Sequence, residues 1–72
     1  MVVALRSEKI SRILARKNMS QNCFASRIGV SSGYMSQLMA GARNPSPLLR
    51  EKILSALKLD ENHFDGVFKI KK

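Results

Sequence analysis

Between Glu8 and Glu51 the chain carries Lys9, Arg12, Arg16, Lys17, Arg27, Arg43 and Arg50 and not one carboxylate side chain. An ordinary solvated surface intermixes its signs, so a one-sided stretch of this length points to a polyanionic partner. Nucleic acid and an anionic membrane surface both satisfy that charge, and composition alone does not separate them. The carboxylates themselves, Glu8, Glu51, Asp60, Glu61 and Asp65, lie towards the two ends. Other chemistry is scarce. Cys23 is the lone cysteine, which rules out an intrachain disulfide and a multi-cysteine metal site. His63 is the lone histidine, and no acid–base pair or activated nucleophile can be assembled around it from the sequence. Neither an enzyme, a metal, a cofactor nor a small-molecule ligand is expected.

The elements that must position these residues are few. At 72 residues and a net charge of +8, with 44% hydrophobic residues, the chain reads as one globular domain spanning 1–72. A chain this short buries only about 60% of its unfolded surface, so its core is modest and a deep cavity is not expected. No apolar run approaches the roughly 20 residues that span a bilayer. Arg6 interrupts the opening Val2-Val3-Ala4-Leu5 too soon for a signal peptide, so a reducing cytoplasm is the expected setting.

Helical periodicity and capping residues recur along the chain. Ile10, Ile13 and Leu14 mark a helix from about Ser7, taken as its N-cap, to Lys17, with Asn18 suited to the turn that follows. Ser20 caps a second helix over about Gln21 to Ile28, stopped by Gly29. Ser31 caps a third, from about Ser32 to Ala40, stopped by Gly41. Ser46-Pro47 opens a fourth, which carries Leu49, Ile53 and Leu57 inward and ends near Lys58. Asp60 and Glu61 suit the positive end of a short fifth helix around Phe64. The fold expected is all-α, a compact five-helix bundle with no central strand.

The segment from about Ser20 to Gly41 reads as capped helix, glycine turn, capped helix, glycine stop, the pattern of a helix-turn-helix. Met35, Leu38 and Met39 should face the core, which leaves Ser32, Gly33, Ser36, Gln37 and Ala40 on the opposite face. A helix fits the major groove of duplex DNA, which is about 12 Å wide. On that face Gln37 is the only side chain able to make a two-point contact, and glutamine pairs best with adenine N6 and N7. The remaining residues there are small, so sequence preference would be modest or lean on DNA shape.

The string from Met19 to Pro47 resembles the phage repressor/Cro type of helix-turn-helix, also called the xenobiotic-response-element type. The matching residues are Ser20, Gln21, Ala25, Gly29, Val30, Ser31, Tyr34, Ser36, Leu38, Gly41, Arg43 and Pro45, with Leu57, Leu59 and Phe64 further on. The resemblance implies a lambda-repressor-like DNA-binding domain that regulates transcription by binding double-stranded operator DNA, usually as a homodimer, in a bacterial or phage setting at the nucleoid. It implies base contacts from Ser32, Gly33, Ser36 and Gln37. It implies phosphate contacts from Gln21, Arg43 and Asn44. Ser20 and Ser31 at the helix starts are further phosphate candidates, and the Tyr34 hydroxyl is another, Tyr34 reading equally as a half-buried packing residue.

The tail, 66–72, departs from helical spacing: Val67, Phe68 and Ile70 alternate with Lys69 and Lys71. These apolar residues are hard to bury in a bundle already closed by Leu57 and Phe64. A second subunit packed on Phe64, Val67, Phe68 and Ile70, either by helical packing or by a short strand paired across a two-fold axis, is therefore expected, the alternative being a frayed basic tail. An antitoxin or adaptor gripping a protein partner through the same patch is the competing function. Capped, compact helices argue against a membrane-surface peptide. Met19, Met35 and Met39 read as core fillers, Cys23 as a packing residue and His63 as a surface residue.

A further departure lies inside the bundle. Where the family pairs an arginine with a glutamate, semi-buried, this chain has Leu14 and Met39, both apolar. Replacing both partners together avoids a stranded charge. The two should touch. Met39→Glu alone should cost about 1–3 kcal/mol in urea unfolding, the desolvation cost of an unpartnered polar group. Leu14→Arg added to it should restore most of the loss, whereas equal stabilities of the single and double variants would refute the contact.

Overall fold

A computed structural model describes residues 2–71. Met1 and Lys72, the last residue of the 66–72 tail, lie outside the described residues. The order of elements is β1 (Val2–Leu5), α1 (Ser7–Arg16), α2 (Gln21–Ile28), α3 (Ser32–Ala40), α4 (Pro47–Ala56), a 3-10 turn (Glu61–His63), α5 (Phe64–Val67) and β2 (Phe68–Lys71). None of the helices is long and apolar enough to cross a membrane.

Three serines start the three middle helices by one device. Ser20, Ser31 and Ser46 sit extended at the N-cap, and each hydroxyl accepts a bond from the backbone N–H three residues on, at Cys23 (3.0 Å), Tyr34 (3.1 Å) and Leu49 (3.2 Å). Each such cap contributes about 1 kcal/mol by satisfying a donor that the helix leaves open. The first helix differs from expectation. Arg6 takes the cap position of α1 without a side-chain bond, and Ser7 is already helical. The Ser7 hydroxyl is drawn away to the carbonyl of Met39, which ties the start of α1 to the end of α3.

The helix ends also share one geometry. In each, the residue after the turn donates its N–H to a carbonyl five residues back: Met19 to Leu14, Val30 to Ala25, Ala42 to Gln37, and Leu59 to Leu54. That closure needs a left-handed residue between. Gly29 (φ 79°) and Gly41 (φ 81°) supply it at no steric cost, and Asn18 (φ 55°) does so as its residue type suggests. Lys58 (φ 59°) is the exception that sequence did not flag.

The all-α expectation is corrected at the termini. β1 and β2 pair antiparallel, with Val2 opposite Lys71, Val3 opposite Ile70, Ala4 opposite Lys69 and Leu5 opposite Phe68. The junction is stitched by Arg6, whose backbone N–H bonds the Val67 carbonyl (2.8 Å) and whose Nε bonds the carbonyls of Asp65 (2.8 Å) and Phe68 (3.1 Å). The fifth helix is present but only one turn long, preceded by the 3-10 turn that Asp60 caps through the Asn62 N–H (3.0 Å).

The same sheet overturns much of the expected subunit contact. Val67 and Phe68 are 1% and 0% exposed, fully inside the chain's own core with Ile10, Phe24, Ile28, Met35, Leu38, Ile53 and Leu57. Phe64 is half-buried, its ring 4.8 Å from that of Phe68. Of the four residues only Ile70 stays open, at 47%. The period-two alternation belonged to a strand whose partner was the N-terminus, so the bundle had an internal place for those side chains. Leu14 is buried in this core, and Met39 is half-buried against it.

Two substitutions test these assignments. Phe68→Ala should cost about 3–5 kcal/mol in denaturant unfolding at any protein concentration, the loss expected of a core aromatic. A cost that varied with concentration would return Phe68 to a subunit interface. Lys58→Gly should gain about 0.5–1 kcal/mol by removing the Cβ clash of the left-handed conformation, net of the extra freedom of the unfolded chain.

Candidate nucleic-acid interface

α2 and α3 are joined by Gly29, Val30 and Ser31 alone. The turn is saturated at both ends: the Gly29 and Val30 N–H groups close α2, and the Ser31 hydroxyl opens α3. Ala25, Ile28, Met35 and Leu38 are buried in the angle, with Val30 half-buried beside them. With Met35 and Leu38 inward, α3 must turn the rest of its circumference outward. Ser32, Gly33, Ser36, Gln37 and Ala40 are all exposed, and Tyr34 is half-buried at the margin.

Two side-chain bonds tie other elements to this strip. Gln21 Nε2, from the first turn of α2, donates to Ser36 Oγ at 3.3 Å. The start of α2 therefore stands beside the middle of α3, which brings the Ser20 cap to the same neighbourhood. From the other end, Arg43 Nε donates to Gln37 Oε1 at 3.1 Å. The backbone supports that approach, because the N–H groups of Ala42 (2.9 Å) and Arg43 (3.3 Å) both bond the Gln37 carbonyl. Arg43 is thus folded back over the last turns of α3. Asn44 follows it, exposed, in the loop before α4.

The residues singled out in the sequence fall into two groups. Gln21, Ser36, Gln37 and Arg43 are linked side chain to side chain, with Ser32 and Gly33 on the same exposed strip. Ser20 and Ser31 accept cap bonds and keep their own hydroxyl protons to donate. No bond joins the Tyr34 hydroxyl or the Asn44 side chain to the strip among the described residues. Both direct side-chain bonds were missed at the sequence level. Arg43 and Gln37 are six residues apart, a spacing that means nothing until the helix end reverses the chain.

Few of the cations are paired within the chain. Among the described residues the one ion pair is His63 Nδ1 with Asp60 Oδ1, at 2.9 Å. The hydrogen bond from His63 holds the Asp60 carboxyl below its ordinary value, aided by the Asn62 N–H. That pair serves the 3-10 turn. Lys9, Arg12, Arg16, Lys17, Arg27 and Arg43 are exposed and have no carboxylate within salt-bridge distance among the described residues. Cys23 is exposed in the first turn of α2, which corrects its reading as a packing residue: α2 turns Phe24 and Ala25 inward instead.

Comparison with protein-family models, with curated proteins and with solved structures returned no match.

Proposed function

We propose that the chain is a sequence-specific, double-stranded-DNA-binding transcriptional regulator of the phage repressor/Cro, lambda-repressor-like type, with α3 entering the major groove. One observation carries the proposal: a two-helix unit with a three-residue turn presents an exposed strip of small and amide side chains, Ser32, Gly33, Ser36 and Gln37, with the cationic Arg43 bonded to it. Small residues let the helix approach the base edges closely, and the amide supplies a two-point contact. Gln21 and Arg43 flank the strip, with Asn44, Ser20, Ser31 and the Tyr34 hydroxyl as further phosphate donors. The helix N-termini add backbone donors and positive dipole ends.

The working form is a homodimer that places two copies of α3 in successive major grooves, about 34–36 Å apart. Of the tail residues, Ile70 and the half-buried Phe64 remain for that contact, since Val67 and Phe68 are internal. The burial of those two also removes most of the patch that an adaptor or antitoxin would have used on a protein partner. The proposed setting is the cytoplasm of a bacterium, at the nucleoid, with no catalytic step and no cofactor.

Selection from a randomised duplex pool at about 0.15 M salt, where binding driven by phosphates alone is weak, tests the proposal. A two-fold-symmetric site should be enriched, and affinity for it should fall with salt at a slope of roughly −0.9 per phosphate contacted. Gln37→Ala should erase the base preference at one position of each half-site. A pool without any enriched motif would refute operator reading.

A further inference from the structure

Gln37 does not stand alone on the exposed strip. Its amide oxygen is held at 3.1 Å by Arg43 Nε, and both side chains are exposed. The orientation of the amide follows from chemistry, because a guanidinium has donors only and must face the oxygen, not the amine. The backbone N–H of Arg43 also bonds the Gln37 carbonyl, so the two residues are joined through main chain and side chain together. From this we infer that Gln37 and Arg43 form one composite reading head in which the guanidinium engages the amide oxygen and hydrogen-bond donors predominate, and that it selects guanine. The inference rests on the DNA-binding reading above, concerns which base that reader prefers, and moves Arg43 from a phosphate contact to a base contact.

The argument is one of matching edges. With Oε1 engaged, Gln37 offers the two N–H groups of its amine, and Arg43 offers the terminal N–H groups of its guanidinium. In the major groove guanine presents two acceptors, N7 and O6, whereas adenine presents one acceptor and the N6 amino donor. A free glutamine suits adenine because its oxygen accepts from N6 while its amine donates to N7. Here the oxygen keeps a second lone pair, but the guanidinium bonded to it sets positive charge where the N6 amino group would approach. Guanine meets the same charge with two electronegative atoms. The expectation for a lone glutamine, adenine, is thereby reversed by a neighbour six residues away.

Nothing else on the strip competes for this role. Ser36 already accepts from Gln21, and Ser32 and Gly33 carry no second polar atom in their side chains. The helix end does not depend on the Arg43 side chain either, since its closing bonds are made by backbone N–H groups. Removing the guanidinium should therefore leave the fold in place.

Parallel selections with the wild type, Gln37→Ala and Arg43→Met decide the matter, with thermal melting as a check on folding. The position read by the head is the one whose preference Gln37→Ala erases. There the wild type should favour guanine over adenine by about tenfold, the scale of one good base contact. Arg43→Met keeps the unbranched stem of the side chain, removes the guanidinium and frees Oε1, so the preference at that position should pass to adenine. Adenine in the wild-type site would overturn the inference, as would guanine undiminished in Arg43→Met or no position erased by Gln37→Ala. In each of those outcomes an enriched site still leaves operator reading standing, whereas no enriched motif in any selection removes both.

Discussion

The angle between α2 and α3 is the constraint from which the rest follows. It is set by three residues, Gly29 to Ser31, whose hydrogen bonds close one helix and open the next. The Val30 N–H closes the preceding helix on Ala25, and the Ser31 hydroxyl caps the next on Tyr34. A different turn conformation would forfeit these bonds at both helix ends. The buried side chains of Ala25, Ile28, Met35 and Leu38 then fill the angle so defined. Once Met35 and Leu38 point inward, the composition of the outward strip is decided.

The core has little to spare. A chain of this length leaves a large share of its surface in water, so each large buried residue carries an outsized part of the stability. This explains the use of both termini. Leu5 and Phe68 face one another across the two-stranded sheet, and Val67 joins them inside. An isolated pair of strands is marginal in water, but this pair has the helical core beneath it. Arg6 adds three bonds to the far end of the chain and locks the register. The sheet thereby covers the core, and β2 leaves Lys69 and Lys71 exposed.

The exposed strip is preorganised on both flanks. Gln21 bonds Ser36 and Arg43 bonds Gln37, so two long side chains are already oriented before any ligand arrives. Ordering such a side chain on binding costs about 0.5–1.5 kcal/mol, a cost that exposed bonds of this kind partly remove in advance. The same bonds redistribute donors and acceptors. A residue's hydrogen-bonding capacity, as seen by a partner, is what its neighbours leave over.

Much of this was legible in the sequence. The bounds of α2 and α3, the serine caps, the glycine stops, the proline start of α4 and the outward strip all follow from interactions spanning three to five residues. Those signals are local, so residue type at a given spacing is enough to reveal them. The strip's constituents, Ser32, Gly33, Ser36 and Gln37, came from the same periodicity. What tertiary structure alone decided was every partnership between distant or oddly spaced residues. Val2–Leu5 and Phe68–Lys71 are four-residue strands at opposite ends of the chain; the alternation of the second was legible, but nothing local names its partner. Ser7 was a plausible cap until Met39 offered a carbonyl, and Lys58 was unremarkable until its helix end required a left-handed residue. Arg43 reaches Gln37 only because the chain reverses at Gly41. Local hydrogen bonding wrote the helices into the sequence, whereas the burial of Phe68 and the pairing of Gln37 depend on where folding brings remote side chains together.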